Sequence, residues 1–464
     1  MSRLIVVSNR VSPPGGKGGP ANQGGLAMAL SAALREYSGL WFGWSGEITP
    51  KFTGELNTQT VDGVTVATVD LEQTDFDEYY NGFANRTLWP LFHYRIDLAM
   101  FDRAFGEGYD RVNTLFAETL APLIEPGDVI WVHDYHLIPL ARELRKLEVK
   151  NPIGFFLHIP WPARRLFIAL PRHQRFVRAL FDYDLLGFQT EDHREAFEEY
   201  VVREVDGSAE GDRLTAFGQT VRAAAYPIGI DAGAFAHATR SPAARTAFER
   251  VFVSAAGRSV IVGVDRLDYS KGLEDRLLGY ERFLKSYPDW RRNVFLLQIA
   301  PPSREAVDEY AEMRARLEAQ VGRINGAYAD IDWSPIRYVN QGYARDELAG
   351  TYRGSRVGLV TPLRDGMNLV AKEYVAAQRP DDPGVLILSQ FAGAAAQMRD
   401  ALIINPFSQE DLAEALDRGL AMPKPERIRR WETLMQGVTT QDVTAWRDAF
   451  VADLSAVAQG GGAD

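Results

Sequence analysis

Short apolar runs recur along the chain at Leu4–Val7, Val129–Val132, Ile153–Leu157, Leu185–Phe188, Ser259–Val264, Val294–Ile299, Val357–Val360, Val385–Leu388 and Leu402–Ile404. Each is continuous rather than alternating, as expected of a strand covered on both faces. Between them lie amphipathic stretches such as Leu137–Leu147 and Leu273–Tyr287, which read as helices. Apolar runs alternating with helices predict parallel sheets flanked by helices, an α/β fold, and the number of runs predicts it twice over. Ala225–Asp231 follows the polar stretch Asp206–Gln219 and precedes a new helix, so it reads as the linker between halves. The halves share no internal repeat.

Composition narrows the class. At 464 residues, with 46% hydrophobic and 24% charged content, the chain can fill more than one core. The formal net charge of −11, without long blocks of one sign, argues against a nucleic-acid partner, and an anionic ligand would need local Arg and Lys clusters. With no cysteine there is no disulfide framework, thiolate metal site or cysteine nucleophile, which suits a reducing cytosol. No stretch approaches the roughly 20 apolar residues of a membrane span, and Met1–Arg10 lacks a signal-peptide core, so no membrane partner and a cytoplasmic location are expected.

Polar chemistry gathers where the apolar runs end, the place at which open α/β sheets hold ligands. The first run ends in Ser8-Asn9-Arg10, and the Gly/Pro-rich stretch Pro13–Gly25 leads into an apolar helical segment from Leu26. Gly24 and Gly25 would let a ligand phosphate approach a helix N-terminus, although a plain surface loop reads equally well. The stretch has neither the Gly-x-Gly-x-x-Gly nor the Gly-Lys-Ser/Thr signature. His133-Asp134-Tyr135-His136 follows Val129–Val132; Asp134 can accept from sugar hydroxyls or simply cap the next helix. The two histidines match no familiar metal-ligand spacing. His158-Ile-Pro-Trp-Pro162 ends the next run, and its histidine is either a positioned ligand or a satisfied core residue. Trp41-Phe-Gly-Trp-Ser-Gly46, Tyr80 and Trp89 offer flat faces for sugar rings, or pack the core. Asp182-Tyr183-Asp184 spells Asp-x-Asp but directly precedes an apolar run, so it reads as the start of a strand.

In the second half Asp265-Arg266-Leu-Asp-Tyr-Ser-Lys271-Gly272 joins a run to the Leu273–Tyr287 helix. Arg266 and Lys271 on one turn can hold a diphosphate, or form a surface salt-bridge turn. Thr361-Pro-Leu-Arg-Asp365-Gly366-Met367-Asn368-Leu369-Val-Ala-Lys-Glu373-Tyr374 places charges beside the free N–H groups of a new helix. Arg304, after Pro301-Pro302-Ser303, ends another run and can reach an anionic group.

Taken together, Ser8-Asn-Arg10, Trp41–Gly46, His133–Leu137, Arg266–Gly272 and Arg364–Tyr374 resemble the trehalose-6-phosphate synthase family, retaining GT-B glycosyltransferases of family 20. The resemblance covers nearly the whole chain. It implies two Rossmann-like domains facing each other across a substrate cleft. The first would span 1–228, completed by a final helix at about 450–464, and the second 229–449. It further implies glucose transfer from UDP-glucose to glucose 6-phosphate, giving α,α-trehalose 6-phosphate and UDP, with no metal and no cofactor beyond the nucleotide sugar. A homo-oligomer, dimer or tetramer, is expected.

Carried over by motif, Arg266, Lys271, His158 and Asp365 would form the catalytic set. Gly24, Gly25, Gly366, Met367, Asn368, Leu369 and Glu373 would join Arg266, Lys271 and Asp365 around the donor. Arg10, Trp41, Tyr80, Trp89, Asp134 and Arg304 would bind the acceptor. The Pro13–Gly25 stretch is richer in glycine than the family pattern, and residues around His158–Arg165 vary from it. No phosphatase segment follows residue 450, so the product is expected to leave phosphorylated. Two other readings share the fold: a pseudo-glycosyltransferase of the validoxylamine-synthase type, which joins cyclitols through nitrogen, and a catalytically silent nucleotide-sugar sensor. The intact Asp365–Asn368 segment and the retained cations favour the glucosyltransferase. The choice among UDP, ADP and GDP donors is not written in these motifs.

Overall fold

A computed structural model of the protein describes residues 3–11, 34, 39–61, 63–303 and 308–460. The chain divides into two compact units, Met1–Pro227 with Thr444–Asp464, and Ile228–Val443. Among the described residues the first unit contains β1 (Leu4–Arg10), β2 (Leu40–Thr49), β3 (Asn57–Val61), β4 (Val64–Glu72), β5 (Val129–His133), β6 (Ile153–Phe156), β7 (Leu185–Phe188), β8 (Ser208–Glu210), β9 (Arg213–Ala216) and β10 (Gln219–Ala225). They form one sheet in the order β3-β4-β2-β1-β5-β6-β7-β10-β9-β8. From β4 to β10 every pairing is parallel, and antiparallel pairs close both edges.

The second unit contains β11 (Ser259–Val264), β12 (Val294–Ile299), β13 (Ile336–Val339), β14 (Val357–Val360), β15 (Val385–Ser389) and β16 (Leu402–Ile404). Its sheet is all parallel, in the order β13-β12-β11-β14-β15-β16. In both sheets the chain starts at the centre, winds outward one way, then returns to wind the other. This doubly wound order leaves a crevice where the direction reverses, beyond the carboxyl ends of β1 and β5 in one unit and of β11 and β14 in the other.

All nine apolar runs are strands, and their side chains fill the layers between sheet and helices. Trp41–Gly46, read above as a face for sugar rings or as core, lies within β2. The amphipathic stretch from Leu137 is helical only over Leu140–Lys146, after a tight turn at Tyr135–Leu137. Pro139, lacking an N–H, stands at that helix's N-cap and starts it late. Phe76–Leu88 forms a wide helix ending in an i→i−5 bond from Trp89 N–H to Ala84 O.

The last helix, Val443–Gly460, lies on the first sheet. The Phe450 ring stacks on Trp131 at 4.7 Å, and Trp446 lies 4.8 Å from the same indole. Gly154 and Gly187 make this possible, because a Cβ at either would come within 2.8 Å of Phe450 ring atoms. No helix among the described residues is long and apolar enough to cross a membrane.

Candidate active site

In the second unit the crevice is built from two strand-to-helix turns. Asp268 Oδ1 accepts from Ser270 N at 2.9 Å, tightening the turn that carries Lys271. Gly272 follows in the left-handed region (φ 63°), and a Cβ there would lie 2.4 Å from Thr361 O. The two turns are stitched together by Leu363 N–H donating to Ser270 O at 2.8 Å. Beneath them Arg276, fully buried, pairs with Asp265 Oδ2 at 2.7 Å and donates to Thr361 Oγ1 (2.8 Å) and Gln298 Oε1 (2.9 Å). One guanidinium therefore fixes the ends of β11, β12 and β14. Burial raises the Asp265 carboxyl, and the facing Arg276 opposes that rise.

Above this base Lys271 Nζ lies 2.5 Å from Asp365 Oδ2, which also accepts from Asn368 Nδ2 at 3.0 Å. Asp365–Met367 is moored to the loop after β15: Asp365 N donates to Phe391 O, Gly393 N to Asp365 O, and Ala394 N to Met367 O at 2.8 Å. Gly393 is obligatory, since a Cβ would sit 1.9 Å from Gly366 O. Asn368 (φ 75°) turns the chain into the helix Leu369–Ala377, whose first N–H groups are free for an anion. Arg266 is exposed and has no hydrogen-bond partner among the described residues. Glu373 is partly buried, and burial raises its carboxyl to about 7, against a smaller opposing pull from Arg345. Its neighbour Lys372 is lowered by burial to about 7 and donates to Ile228 O and Gln397 Oε1.

In the first unit the ends of β1, β5 and β6 converge. Asp134 does not cap the turn after it; its backbone is left-handed (φ 75°), and its Oδ1 accepts from His158 N at 3.2 Å. A non-glycine residue held in that region, sparsely populated for side chains, is a mark of a constrained site. His158 Nε2 meets His133 Nδ1 at 3.0 Å, and Gln189 Nε2 approaches the other ring nitrogen at 3.5 Å. Burial lowers His158 to about 3, so its ring is neutral near pH 7 and is a hydrogen-bonding group there rather than a charged acid.

Arg10 ends β1 with its guanidinium 5.6 Å from the Trp44 ring. Gly46 (φ 94°) makes room for it, because a Cβ there would lie 2.6 Å from Arg10 Nε. Trp44, Tyr80 and His136 continue in a chain of ring contacts, with Tyr80 stacked on His136 at 5.9 Å. Trp89 is nearly buried and leans on Tyr135 at 5.9 Å. Trp41 differs: its ring is 2% exposed and its Nε1–H donates to Ser8 Oγ, so it supports the strand leading to Arg10 from inside the core. Gly24, Gly25 and Arg304 lie outside the described residues. The Asp-x-Asp pair is structural, with Asp184 Oδ2 accepting from Arg145 Nη2 and Ile153 N and Asp182 from Gln219.

The two turns of the second unit and the three strand ends of the first thus carry the chemistry of a phosphorylated and a polyhydroxylated ligand. The model of glycosyltransferase family 20 matches residues 5–456. The chain belongs to glycosyltransferase family 20. A trehalose-6-phosphate synthase of Sinorhizobium fredii is 50% identical over 459 residues, covering 98% of this chain and 99% of that one. A UDP-forming α,α-trehalose-phosphate synthase from Burkholderia xenovorans, solved in complex with glucose-6-phosphate, is 49% identical with a TM-score of 0.93, covering 98% of this chain and all of its own. An E. coli protein solved with UDP-2-fluoro glucose is 46% identical, TM-score 0.93, covering 98% and 99%. This family 20 chain has the GT-B fold of these relatives.

Three residues that hold these strand ends and turns in place carry no signal in the sequence motifs. Arg276 looks like one more surface charge in Leu273-Glu-Asp-Arg-Leu, yet it is the buried keystone of the two strand-to-helix turns. Asn9 accepts from Tyr79 OH at 2.7 Å, tying β1 to the wide helix that presents Tyr80. His133 backs His158, and only its place at the end of β5 hinted at a role.

Proposed function

We propose that this protein transfers the glucosyl group of UDP-glucose to glucose 6-phosphate with retention, producing α,α-trehalose 6-phosphate and UDP. The observation that carries the reading is the Lys271–Asp365 contact at the crevice of the second sheet, with Arg266 earlier on the same strand-to-helix connection as Lys271, exposed and without a hydrogen-bond partner among the described residues. A cation and a carboxylate at the N-terminus of Leu369–Ala377 suit a ligand that is anionic at one end and hydroxylated at the other. A nucleotide sugar is such a ligand. The relatives that hold glucose-6-phosphate and a fluorinated UDP-glucose support both substrates.

In this reading Arg266 and Lys271 bind the diphosphate, Asp365 and His158 the donor glucose, Leu369 the nucleotide and Glu373 the ribose. Gly366, Met367 and Asn368 shape the floor. Arg10 takes the acceptor phosphate, while Tyr80, Trp89 and Asp134 hold its ring and hydroxyls. As the bond from the glucosyl C1 to the leaving phosphate oxygen breaks, negative charge grows on the diphosphate. The fixed cations stabilise that state more than the ground state. The acceptor O1 bonds to C1 on the same face, and its proton passes to the leaving oxygen, so no carboxylate nucleophile is required. We assign acceptor binding to the first unit and the nucleotide diphosphate of the donor to the second. We further propose a cytoplasmic location, a homo-oligomeric state and UDP as the preferred nucleotide.

The test is an assay of nucleoside diphosphate release from UDP-, ADP- and GDP-glucose, each with and without glucose 6-phosphate. Release that depends on glucose 6-phosphate and is fastest with UDP-glucose supports the reading. Release indifferent to the acceptor, or consumption of GDP-valienol instead, refutes it.

A further inference from the structure

A cavity of about 630 Å³ opens in the first unit, away from every residue assigned above to a substrate. The volume is that of a small-molecule site. Its walls are Phe83 and Thr87 of the wide helix, Gly106 and Tyr109 of the helix Arg103–Leu120, and Leu170 with Phe176. The lining is apolar and firm, with the Phe83 and Tyr109 rings 4.5 Å apart and Tyr109 and Phe176 both buried.

The rim is charged and asymmetric. Arg103 Nε pairs with Glu107 at 2.7 Å, Arg175 with Asp110 at 2.6 Å, and Arg142 with Glu143 at 2.9 Å. Asp102 caps its own helix by accepting from Ala104 N. Arg172 also lines the cavity, exposed and with no ion-pair or side-chain hydrogen-bond partner among the described residues. Its backbone is left-handed (φ 59°), a conformation that residues with side chains seldom adopt. Of the four rim arginines, Arg172 alone has no carboxylate partner among the described residues, which leaves one unpaired cation beside an apolar pocket.

We propose that this cavity is a binding site for a monoanionic amphiphile, an aryl or short acyl body with a single anionic head seated on Arg172. The apolar walls suit an apolar body, and the unpaired Arg172 suits one negative charge. The site backs onto the acceptor side of the unit. Tyr109, a wall residue, donates its hydroxyl to Tyr135 O at 2.6 Å, next to Asp134.

The experiment titrates the full-length protein with 8-anilinonaphthalene-1-sulfonate, an aromatic monoanion, and with the uncharged N-phenyl-1-naphthylamine, following fluorescence. The expected result is saturable one-site binding of the anion that Arg172→Gln weakens about tenfold, with the neutral dye changed less than twofold. Gly106→Met should abolish binding of both dyes. A Cβ there meets only Phe83 Cε2 at 3.8 Å, and losing a helix glycine favours folding, so the added side chain fills the cavity without breaking the helix. Thermal melts confirm that both variants are folded. No saturable binding, binding indifferent to Gly106→Met, or equal weakening of both dyes by Arg172→Gln would each overturn the proposal.

Discussion

Lys271 Nζ stands 2.5 Å from Asp365 Oδ2, joining two side chains 94 positions apart, each more than four-fifths buried. One group was read as a diphosphate ligand and the other as a sugar ligand, and the protein holds each in place with the other. Lys271→Ala and Asp365→Asn should each lower kcat/KM for UDP-glucose by about 100- to 1000-fold. The double variant should cost clearly less than the product of the two, because either single change strands the partner's charge. Multiplicative losses would show that the two act separately.

Arg266 has the opposite signature. It is exposed and has no hydrogen-bond partner among the described residues, so Arg266→Ala should leave the melting temperature almost unchanged, within about 0.5 kcal/mol of stability. Turnover should nevertheless fall by roughly 2–4 kcal/mol of transition-state stabilisation. Turnover within a factor of two of the parent would remove Arg266 from the leaving-group site.

Burial raises the Glu373 carboxyl to about 7 from its ordinary 4.5. Between those pH values the unfolded chain releases a proton that the folded chain keeps, so stability falls as pH rises through this window and is level above it. Glu373→Gln abolishes that loss. Denaturation of parent and variant should coincide in pH dependence below pH 4.5, with the variant gaining up to about 3 kcal/mol by pH 8. A ribose held by the carboxylate also requires UDP to bind more weakly below pH 7 in the parent but not in the variant, as calorimetry would show.

Gly46 tests the proposed acceptor role of Arg10. Alanine there would place a Cβ 2.6 Å from Arg10 Nε on a backbone at φ 94°. Gly46→Ala should therefore displace the guanidinium and raise KM for glucose 6-phosphate about tenfold or more, the worth of a charged hydrogen bond. KM for UDP-glucose should stay put. Equal rises in both would point to a general loss of structure.

The parallel layers were legible because a strand covered on both faces must be apolar at every position, and Val357–Val360 or Ile153–Phe156 has no other comfortable place. β3 and β8 were not, since edge strands facing water carry Asn57, Thr58 and Gln59 or Ser208 and Glu210, which also suit loops. Trp41 could be read either as a ligand face or as core, because a buried indole and a sugar platform look alike in sequence; its burial and its hydrogen bond to Ser8 place it in the core. At the site, motifs exposed the residues with unusual local chemistry. They could not show pairings made by the fold, such as Lys271 with Asp365, His158 with His133, or Arg276 with Asp265.

The most direct measurement is the structure of the product. Proton NMR of a reaction containing this protein, UDP-glucose and glucose 6-phosphate should show a single new disaccharide phosphate with both anomeric centres α, appearing at the rate of UDP release. A β linkage, or free glucose accumulating in its place, would contradict same-face transfer to glucose 6-phosphate.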